Sequence, residues 1–206
     1  MMRGGSVPTG AAYHHGDLRV ALVSAALELL EEGGATELSL RAAARRAGVA
    51  PSAPYRHYAD RDALLSAVAA VGYRELAEHL TAVHPAPSTT DDLAAVAVAY
   101  VQFALQRPAL FRVMFGEPCD RDSGERVAAT AAISAYVGAI VERCFPAADA
   151  DALSTAIWAL VHGLAFLHLD GKLDSSTPDA VEARVAAAVH AALTVNPANS
   201  PDPPMP

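Results

Sequence analysis

Apolar residues recur three and four positions apart along most of this chain, and this helical spacing limits its fold more than any other feature. The first run contains Leu18, Leu22 and Leu29 and ends at Gly33-Gly34. Such a period is that of an amphipathic helix, whereas a half-buried strand would alternate apolar and polar residues. Aromatic residues make up only 6% of the chain, and glycine and proline collect between the runs. The sequence therefore predicts an all-α protein.

Nine helices follow from these runs and from the residues that bound them. Asp60 and Ser52 are candidate N-caps, Thr89 and Asp92 have capping-box spacing, and Thr177-Pro178 combines a cap with a first-turn proline. The predicted segments are approximately 18–33, 38–47, 52–58, 61–83, 91–106, 108–115, 122–144, 149–169 and 177–195. We expect flexible tails at residues 1–12 and 196–206, one domain at 13–61 and a second at 62–195.

Charge is distributed unevenly between the two ends of the chain. The whole chain has a net charge of −8, which taken alone argues against a nucleic-acid partner. Residues 1–74, however, hold eight arginines and seven acidic residues, while the remainder has a net charge of −9. Lysine occurs once, at Lys172. Arginine suits phosphates and guanine edges, although a GC-rich genome explains the same enrichment.

Cysteine usage and hydropathy indicate a cytoplasmic protein. Cys119 and Cys144 lie far apart without metal-type spacing, so we expect free thiols. The apolar stretch from Ala150 to Leu169 is interrupted by Asp151 and two histidines among other polar residues. A buried helix is therefore favoured over a membrane span, and we expect no membrane association.

A helix-turn-helix is the strongest local pattern in the first third of the chain. The predicted helix that ends at Ala47 is followed by the turn Gly48-Val49-Ala50 and by the short segment 51–58, PSAPYRHY. This segment has little apolar surface to bury, but it carries hydroxyl, imidazole and guanidinium groups that donate to phosphates and base edges. Such a pair of helices places one across the DNA backbone and the next in the major groove.

The stretch from Arg41 to Leu65, RAAARRAGVAPSAPYRHYADRDALL, resembles the DNA-binding signature of tetracycline-repressor (TetR) family regulators. The likeness lies in the turn, the Tyr-x-His-aromatic core and the basic residue before Ala-Leu-Leu, and it covers about residues 13–65. Farther on, Trp158 to Gly163 resembles a Trp-x-x-x-His-Gly stretch of one C-terminal subtype. The resemblance implies a three-helix helix-turn-helix domain followed by a six-helix domain for effector binding and dimerisation.

The same resemblance implies DNA contacts for individual residues. Ser39 and Arg41 would contact the backbone or a base, and Tyr55, His57 and Arg61 would contact phosphates. The residues implied against base edges are Pro51, Ser52, Ala53 and Pro54. Proline and alanine offer only apolar contacts, for example to thymine methyl groups, whereas Arg41 can donate two hydrogen bonds to guanine or a phosphate.

For the tyrosines and for two of the arginines, an ordinary structural role is the alternative to a DNA contact. Tyr58 is expected to pack the third helix onto the first, whereas for Tyr55 we favour a packed ring with its hydroxyl on a phosphate. Arg45 and Arg46 fit either a DNA-facing surface or a plain solvated one.

The acidic second domain is expected to bind an effector and to form the homodimer. Candidate interface residues, which allow close helix approach in the last two helices, are Gly163, Ala183, Ala187 and Ala191. Candidate pocket residues are Phe103, Phe111, Met114, Phe115, Trp158 and His162. An ordinary core explains both sets, and a hydrogen-bonded core histidine explains His162.

These features predict a transcriptional regulator, specifically a repressor that binds a palindromic operator in double-stranded DNA as a homodimer and is released by a small apolar or amphipathic effector. No phosphate loop, nucleophile elbow or paired metal ligands occur, so we expect no enzyme activity, no cofactor and no metal. The alternative is a helical protein-interaction module with a vestigial DNA-reading head. The charge of −8 and the lack of base-reading amides in the third helix favour that alternative.

Overall fold

The computed structural model describes residues 15–116 and 123–194, and within them the chain forms eight α-helices, two 3-10 turns and no strand. The helices are α1 (His15–Gly33), α2 (Leu40–Arg46), α3 (Arg61–Val83), α4 (Thr90–Gln106), α5 (Pro108–Phe115), α6 (Gly124–Cys144), α7 (Ala150–Leu169) and α8 (Pro178–Thr194). The all-α prediction is confirmed. The predicted tails at 1–12 and 196–206, the loop at 117–120 and Cys119 lie outside the described residues.

The N-terminal unit extends to Leu64 and contains α1, α2, the two 3-10 turns and the first turn of α3. Helix α1 contributes Leu22, Ala26 and Leu30, which are completely buried, and α2 packs against it. In α2 itself Leu40 and the three alanines at 42–44 are buried, so the small side chains let the two helices approach closely. The two helices thereby fix the position of the turn that follows.

Local hydrogen bonds define both ends of α2. The Ser39 hydroxyl oxygen accepts a hydrogen bond from the Ala42 N–H at 3.1 Å and caps the first turn. At the other end Gly48 has φ 69°, the Gly48 N–H donates to the Arg45 carbonyl, and the Val49 N–H donates to the Ala44 carbonyl. This pair of bonds is a Schellman closure, which needs a left-handed residue, so the predicted glycine turn is confirmed.

The predicted third helix at 52–58 is wrong in type, because only a 3-10 turn at Pro54–Arg56 forms there. The Arg56 and His57 N–H groups donate three residues back, and only the Tyr58 N–H donates four residues back. Pro54 stands in the first turn of this element, where its missing N–H costs no backbone hydrogen bond. A segment of only seven residues, however, gains few hydrogen bonds against the cost of nucleating an α-helix. Ser52 does not cap this element, since Ala53 precedes it without a side-chain hydrogen bond.

The C-terminal unit begins at Leu65 and is organised around α4. Ten of the residues of α4 are buried, among them Val96, Tyr100 and Val101, so this helix is covered on most sides. Helices α5, α7 and α8 all contact it. A helix that is apolar around most of its circumference belongs in the centre of a helical domain.

The predicted helix starts agree with the structure at three positions. Asp60 accepts from the Ala63 N–H at the start of α3, and Thr177 accepts from the Ala180 N–H at the start of α8. Thr89 and Asp92 form a complete capping box before α4. These predicted caps are confirmed, because a cap depends on residues only three positions apart.

Two apolar helices leave much of their surface uncovered in the single chain. By length and composition α6 and α7 are apolar enough to cross a membrane, with mean hydropathies of 1.3 and 1.6, although only 17% and 28% of these windows are buried. Helices α4 and α5, which meet at a bend of 105°, are together also long and apolar enough to cross a membrane if the pair is counted as one broken span. The expectation of no membrane association therefore stays a prediction.

We expect Gly48→Ala to destabilise the chain by about 1–2 kcal/mol, because alanine is strained at a positive φ. No atom lies within 4 Å of a Cβ built at this position, so the cost is conformational and not steric. Chemical denaturation measures the effect. Gly124→Ala is the matched control, since its Cβ also meets nothing but its φ is not positive. Equal stability of the Gly48→Ala chain and the native chain would contradict this account.

Candidate DNA-binding surface and effector cavity

Helix α2 presents two arginines to solvent. Arg41 and Arg45 are four residues apart on the exposed face, and their side chains make no hydrogen bond or ion pair with any described residue. Arg46 differs, because it donates to the carboxylates of Glu28 and Glu32 on α1. These bonds lower the pKa of Glu32 and raise that of Arg46. Of the two alternatives given for Arg45 and Arg46, the plain solvated surface fits Arg46, which is exposed and paired with carboxylates of its own chain, whereas the choice for Arg45 stays open.

Two of the implied DNA contacts also have structural roles. Ser39 is exposed, and its oxygen already caps α2. Arg61 donates from Nε to the Leu38 carbonyl at 3.1 Å and from Nη2 to the Ala35 carbonyl at 2.7 Å. Arg61 therefore holds the segment before α2 against the start of α3. A phosphate contact from Arg61 stays a prediction.

The segment after the turn exposes most of the residues implied for base and phosphate contacts. Pro51 and Ser52 are exposed, Ala53 is half-buried, and Pro54 is buried beneath them. Apolar contacts to base edges therefore depend on Pro51 and Ala53, because the Pro54 ring is not accessible.

The aromatic residues of this segment separate into an exposed and a buried group. Tyr55 is 53% exposed and His57 is half-buried. Tyr58 is 3% exposed, and Arg19 lies over its ring and donates to its hydroxyl. The prediction that Tyr58 belongs to the core is confirmed.

Arg56 was not among the residues singled out from the sequence. It is exposed between Tyr55 and His57, and its side chain has no hydrogen bond or ion pair within the described part of the chain. Its signal was its position in the polar segment 51–58. Arg41, Arg45 and Arg56 together give this unit three exposed guanidinium groups, which are suited to phosphate oxygens.

The C-terminal unit contains a cavity of about 670 Å³ formed by residues of α3 to α7. This volume lies within the range of about 300–1,000 Å³ that is usual for small-molecule sites. Its apolar lining comprises Tyr73, Leu76, Tyr100, Met114, Phe115, Ile133, Val137 and Trp158. Its polar lining comprises Arg126, Thr130, Ser134, Asp151, Ser154 and Thr155. The cavity is therefore suited to an amphipathic molecule.

Three of the six pocket residues predicted from the sequence line the cavity, and three do not. Met114, Phe115 and Trp158 line the cavity. Phe103, Phe111 and His162 do not, and Phe111 is completely buried in the core. The reason is packing, since Phe111 contacts Tyr100, Phe115 and Phe166 and so lies behind the lining.

His162 supports the cavity wall from behind. Its Nδ1 lies 3.1 Å from the Tyr100 hydroxyl, and its ring packs against Phe115 and Trp158 at centroid distances of 4.6 and 5.7 Å. Burial lowers the pKa of His162 and raises that of Tyr100, and both shifts favour the neutral form of the group. This arrangement agrees with a hydrogen-bonded core histidine that contacts three lining residues.

The polar lining residues were missed in the sequence. Arg126, Thr130 and Ser134 occur every four residues on α6, and Asp151, Ser154 and Thr155 share one face of α7 with Trp158. Spacing of this kind places each set on a single helix face. Polar residues repeating along otherwise apolar helices were the signal that could have identified them.

The candidate dimer residues lie on the surface of the single chain. Ala183, Ala187 and Ala191 are exposed on α8, and Gly163 on α7 is half-buried. A Cβ at Gly163 would meet no atom within 4 Å. Leu167, one turn beyond Gly163 on α7, is 44% exposed.

Residues 15–116 and 123–194 contain no group of three or more His, Cys, Asp or Glu side chains able to hold a metal ion. Cys144 is a free thiol whose pKa is raised by burial.

Two family models match the chain. The model described as bacterial regulatory proteins of the tetR family matches residues 22–68, and that of the tetracyclin repressor-like C-terminal domain matches residues 93–192. The first contains α2 and the turn after it, and the second contains most of the cavity lining.

Relatives support the same assignment. HTH-type transcriptional regulators of Mycobacterium tuberculosis and Mycobacterium bovis are each 35% identical over 121 residues, which is 54% of this chain and 50% of each relative. The match thus spans half the length of these relatives. A solved protein with unknown function from Rhodococcus sp. RHA1 is 36% identical with a TM-score of 0.71, covering 87% of this chain and 97% of that one.

The fold alone is shared with a tetR-family regulatory protein from Rhodococcus RHA1, which is 22% identical with a TM-score of 0.62 over 84% of this chain and 95% of that one. TetR-family members are DNA-binding proteins and not enzymes, so the non-enzymatic prediction agrees with the family. The Trp-x-x-x-His-Gly subtype stays a prediction. The two matched models and these relatives show that the chain belongs to the TetR family of bacterial transcription regulators.

Proposed function

We propose that this chain is a cytoplasmic transcriptional repressor that binds a palindromic DNA operator as a homodimer and is released by a small amphipathic effector. The observation that carries the proposal is the helix-turn-helix surface, where Arg41, Arg45 and Arg56 are exposed without a described internal partner and Tyr55 is 53% exposed. Guanidinium and phenol groups of this kind donate to phosphates and base edges.

The uncovered helix faces support a homodimer. Gly163 leaves open space above α7, and Ala183, Ala187 and Ala191 form an exposed stripe on α8. Two such helices from each of two chains form a four-helix bundle in which small residues allow close approach. A two-fold dimer matches an operator with two half-sites about 34–36 Å apart.

The cavity supports control by an effector. It is open enough to admit a ligand, its lining is mainly apolar, and His162 contacts three of its aromatic lining residues from behind. A ligand that favours one spacing of the paired helix-turn-helix units changes DNA affinity by its differential binding to the two states, typically about 1–3 kcal/mol.

Selection of bound sequences from a random duplex pool tests the proposal directly. We expect a palindromic consensus and a steep loss of affinity with rising salt, because each phosphate contact releases counterions. The measurement is binding to the selected duplex and to an unrelated duplex at two salt concentrations. An affinity that is unselective and independent of salt would favour the protein-interaction module instead.

Single substitutions test the proposed contact surface. We expect Arg41→Ala to weaken binding to the selected duplex by about 1–3 kcal/mol, and Tyr55→Phe by about 0.5–1.5 kcal/mol, without loss of stability. Arg74→Ala is the control, because Arg74 is an exposed arginine on α3 outside the N-terminal unit. We expect it to change affinity by less than about threefold.

Native affinity in both Arg41→Ala and Tyr55→Phe would remove these two residues from the contact surface. Unfolding of either variant, measured by circular dichroism, would contradict their assignment as exposed residues.

The dimer is tested at Gly163. We expect Gly163→Gln to fold normally, since a Cβ there meets no atom of the described residues within 4 Å and Gln forms helices better than Gly. The longer side chain should displace a partner helix and so dissociate the homodimer. Sedimentation analysis should give the mass of two chains for the native protein and of one chain for the variant. Gly124→Gln, also at an open helical position, should stay dimeric. A dimeric Gly163→Gln variant would place the interface elsewhere.

A further inference from the structure

The cavity contains buried polar atoms that nothing in the described part of the chain satisfies. Two atoms stand out, Arg126 Nε on α6 and Ser154 Oγ on α7, each buried and without a hydrogen-bond partner there. An unsatisfied buried donor costs about 1–3 kcal/mol, and more when it is charged. Both atoms line a space large enough for a ligand, so a ligand can supply the acceptors that they lack.

Arg126 is the informative residue because its charge is not neutralised within the described ranges. It makes no ion pair with a described carboxylate, although Asp151 lines the same cavity. The neighbouring hydroxyl of Thr130 donates to backbone carbonyls of α6, as does that of Ser134. A guanidinium in a mainly apolar cavity binds an anionic oxygen better than any neutral group.

The two charged residues lie toward opposite ends of the α6–α7 pair. Arg126 is in the first turn of α6, and Asp151 is in the first turn of α7. The helices contact each other and are joined by residues 145–149, a connection typical of antiparallel neighbours. Arg126 and Gly138, which both line the cavity, are separated by about 18 Å along α6 at the usual helical rise. The lining is thus positive at one end, apolar in the middle and negative at the other.

We infer that the effector is an elongated, mainly apolar molecule with a single anionic group that binds Arg126. The apolar part lies along Ile133, Val137 and Trp158, and Ser154 provides a hydrogen bond beyond it. Asp151 disfavours a second anionic group at the far end. This inference rests on the proposed effector role of the cavity and adds the chemical class of its ligand.

The test compares decanoate with decanol, which share an alkyl chain and differ in the charge of the head group. Trp158 lines the cavity and is the single tryptophan of the sequence, so its fluorescence reports occupancy directly. At neutral pH the full-length protein should bind decanoate at least about tenfold more tightly than decanol, which is the usual size of a charged hydrogen bond.

Substitutions of Arg126 test whether this side chain causes the preference for decanoate over decanol. Arg126→Gln should remove the preference for decanoate and leave the affinity for decanol unchanged, and Arg126→Lys should retain part of the preference. Arg74→Gln is the matched control, because Arg74 is an exposed arginine outside the cavity lining, and it should behave as the native chain does.

Each other result overturns the inference in a distinct way. Equal binding of both probes to the native chain would contradict the anionic class but leave the cavity as an effector site. If Arg126→Gln still prefers decanoate, Arg126 is not the residue that binds the anionic group. If Arg126→Gln loses decanol binding as well, Arg126 only maintains the shape of the cavity. No response of Trp158 to either probe would overturn the proposed effector site too.

Discussion

Burial of α4 is the constraint on which the C-terminal unit depends. A helix with so little polar surface must be covered by its neighbours, and α5, α7 and α8 all pack against it. Helices α7 and α8 can each turn only one face toward α4, for example Val161 and Leu164 on α7 and Val185 on α8. Their opposite faces, rich in alanine and glycine, are then left uncovered in the single chain. The same burial that holds one chain together thus creates a surface suited to a second copy.

The cavity follows from how little α6 contributes to the core. Only Ala129, Ile140 and Val141 are buried on this helix of 21 residues. The rest of its inner face borders open space, so that face can carry Arg126, Thr130 and Ser134 without forcing them into a packed interior. Polar groups that would destabilise a filled core become ligand-binding groups beside an unfilled one.

The sequence predicted features that depend on neighbouring residues better than features that depend on packing. The capping box at Thr89 and the turn at Gly48 were correct, because both are settled within a few residues. The third helix was wrong in type, since so short a segment gains too few four-residue hydrogen bonds to offset helix nucleation. Phe111 and Phe115, four residues apart on α5, looked equivalent, yet only Phe115 lines the cavity, because α4 and α7 cover Phe111.

The arginines of the N-terminal unit have two different roles, internal bonding and exposure to solvent, and this difference explains how an acidic chain can present a DNA-binding surface. Arg46 satisfies Glu28 and Glu32, and Arg61 satisfies backbone carbonyls before α2, so both stabilise the unit internally. Arg41, Arg45 and Arg56 make no such contacts with the described residues. These three guanidinium groups are therefore available to a phosphate backbone even though the net charge of the chain is −8. A sequence count treats all arginines alike, and only the internal pairing separates the two groups.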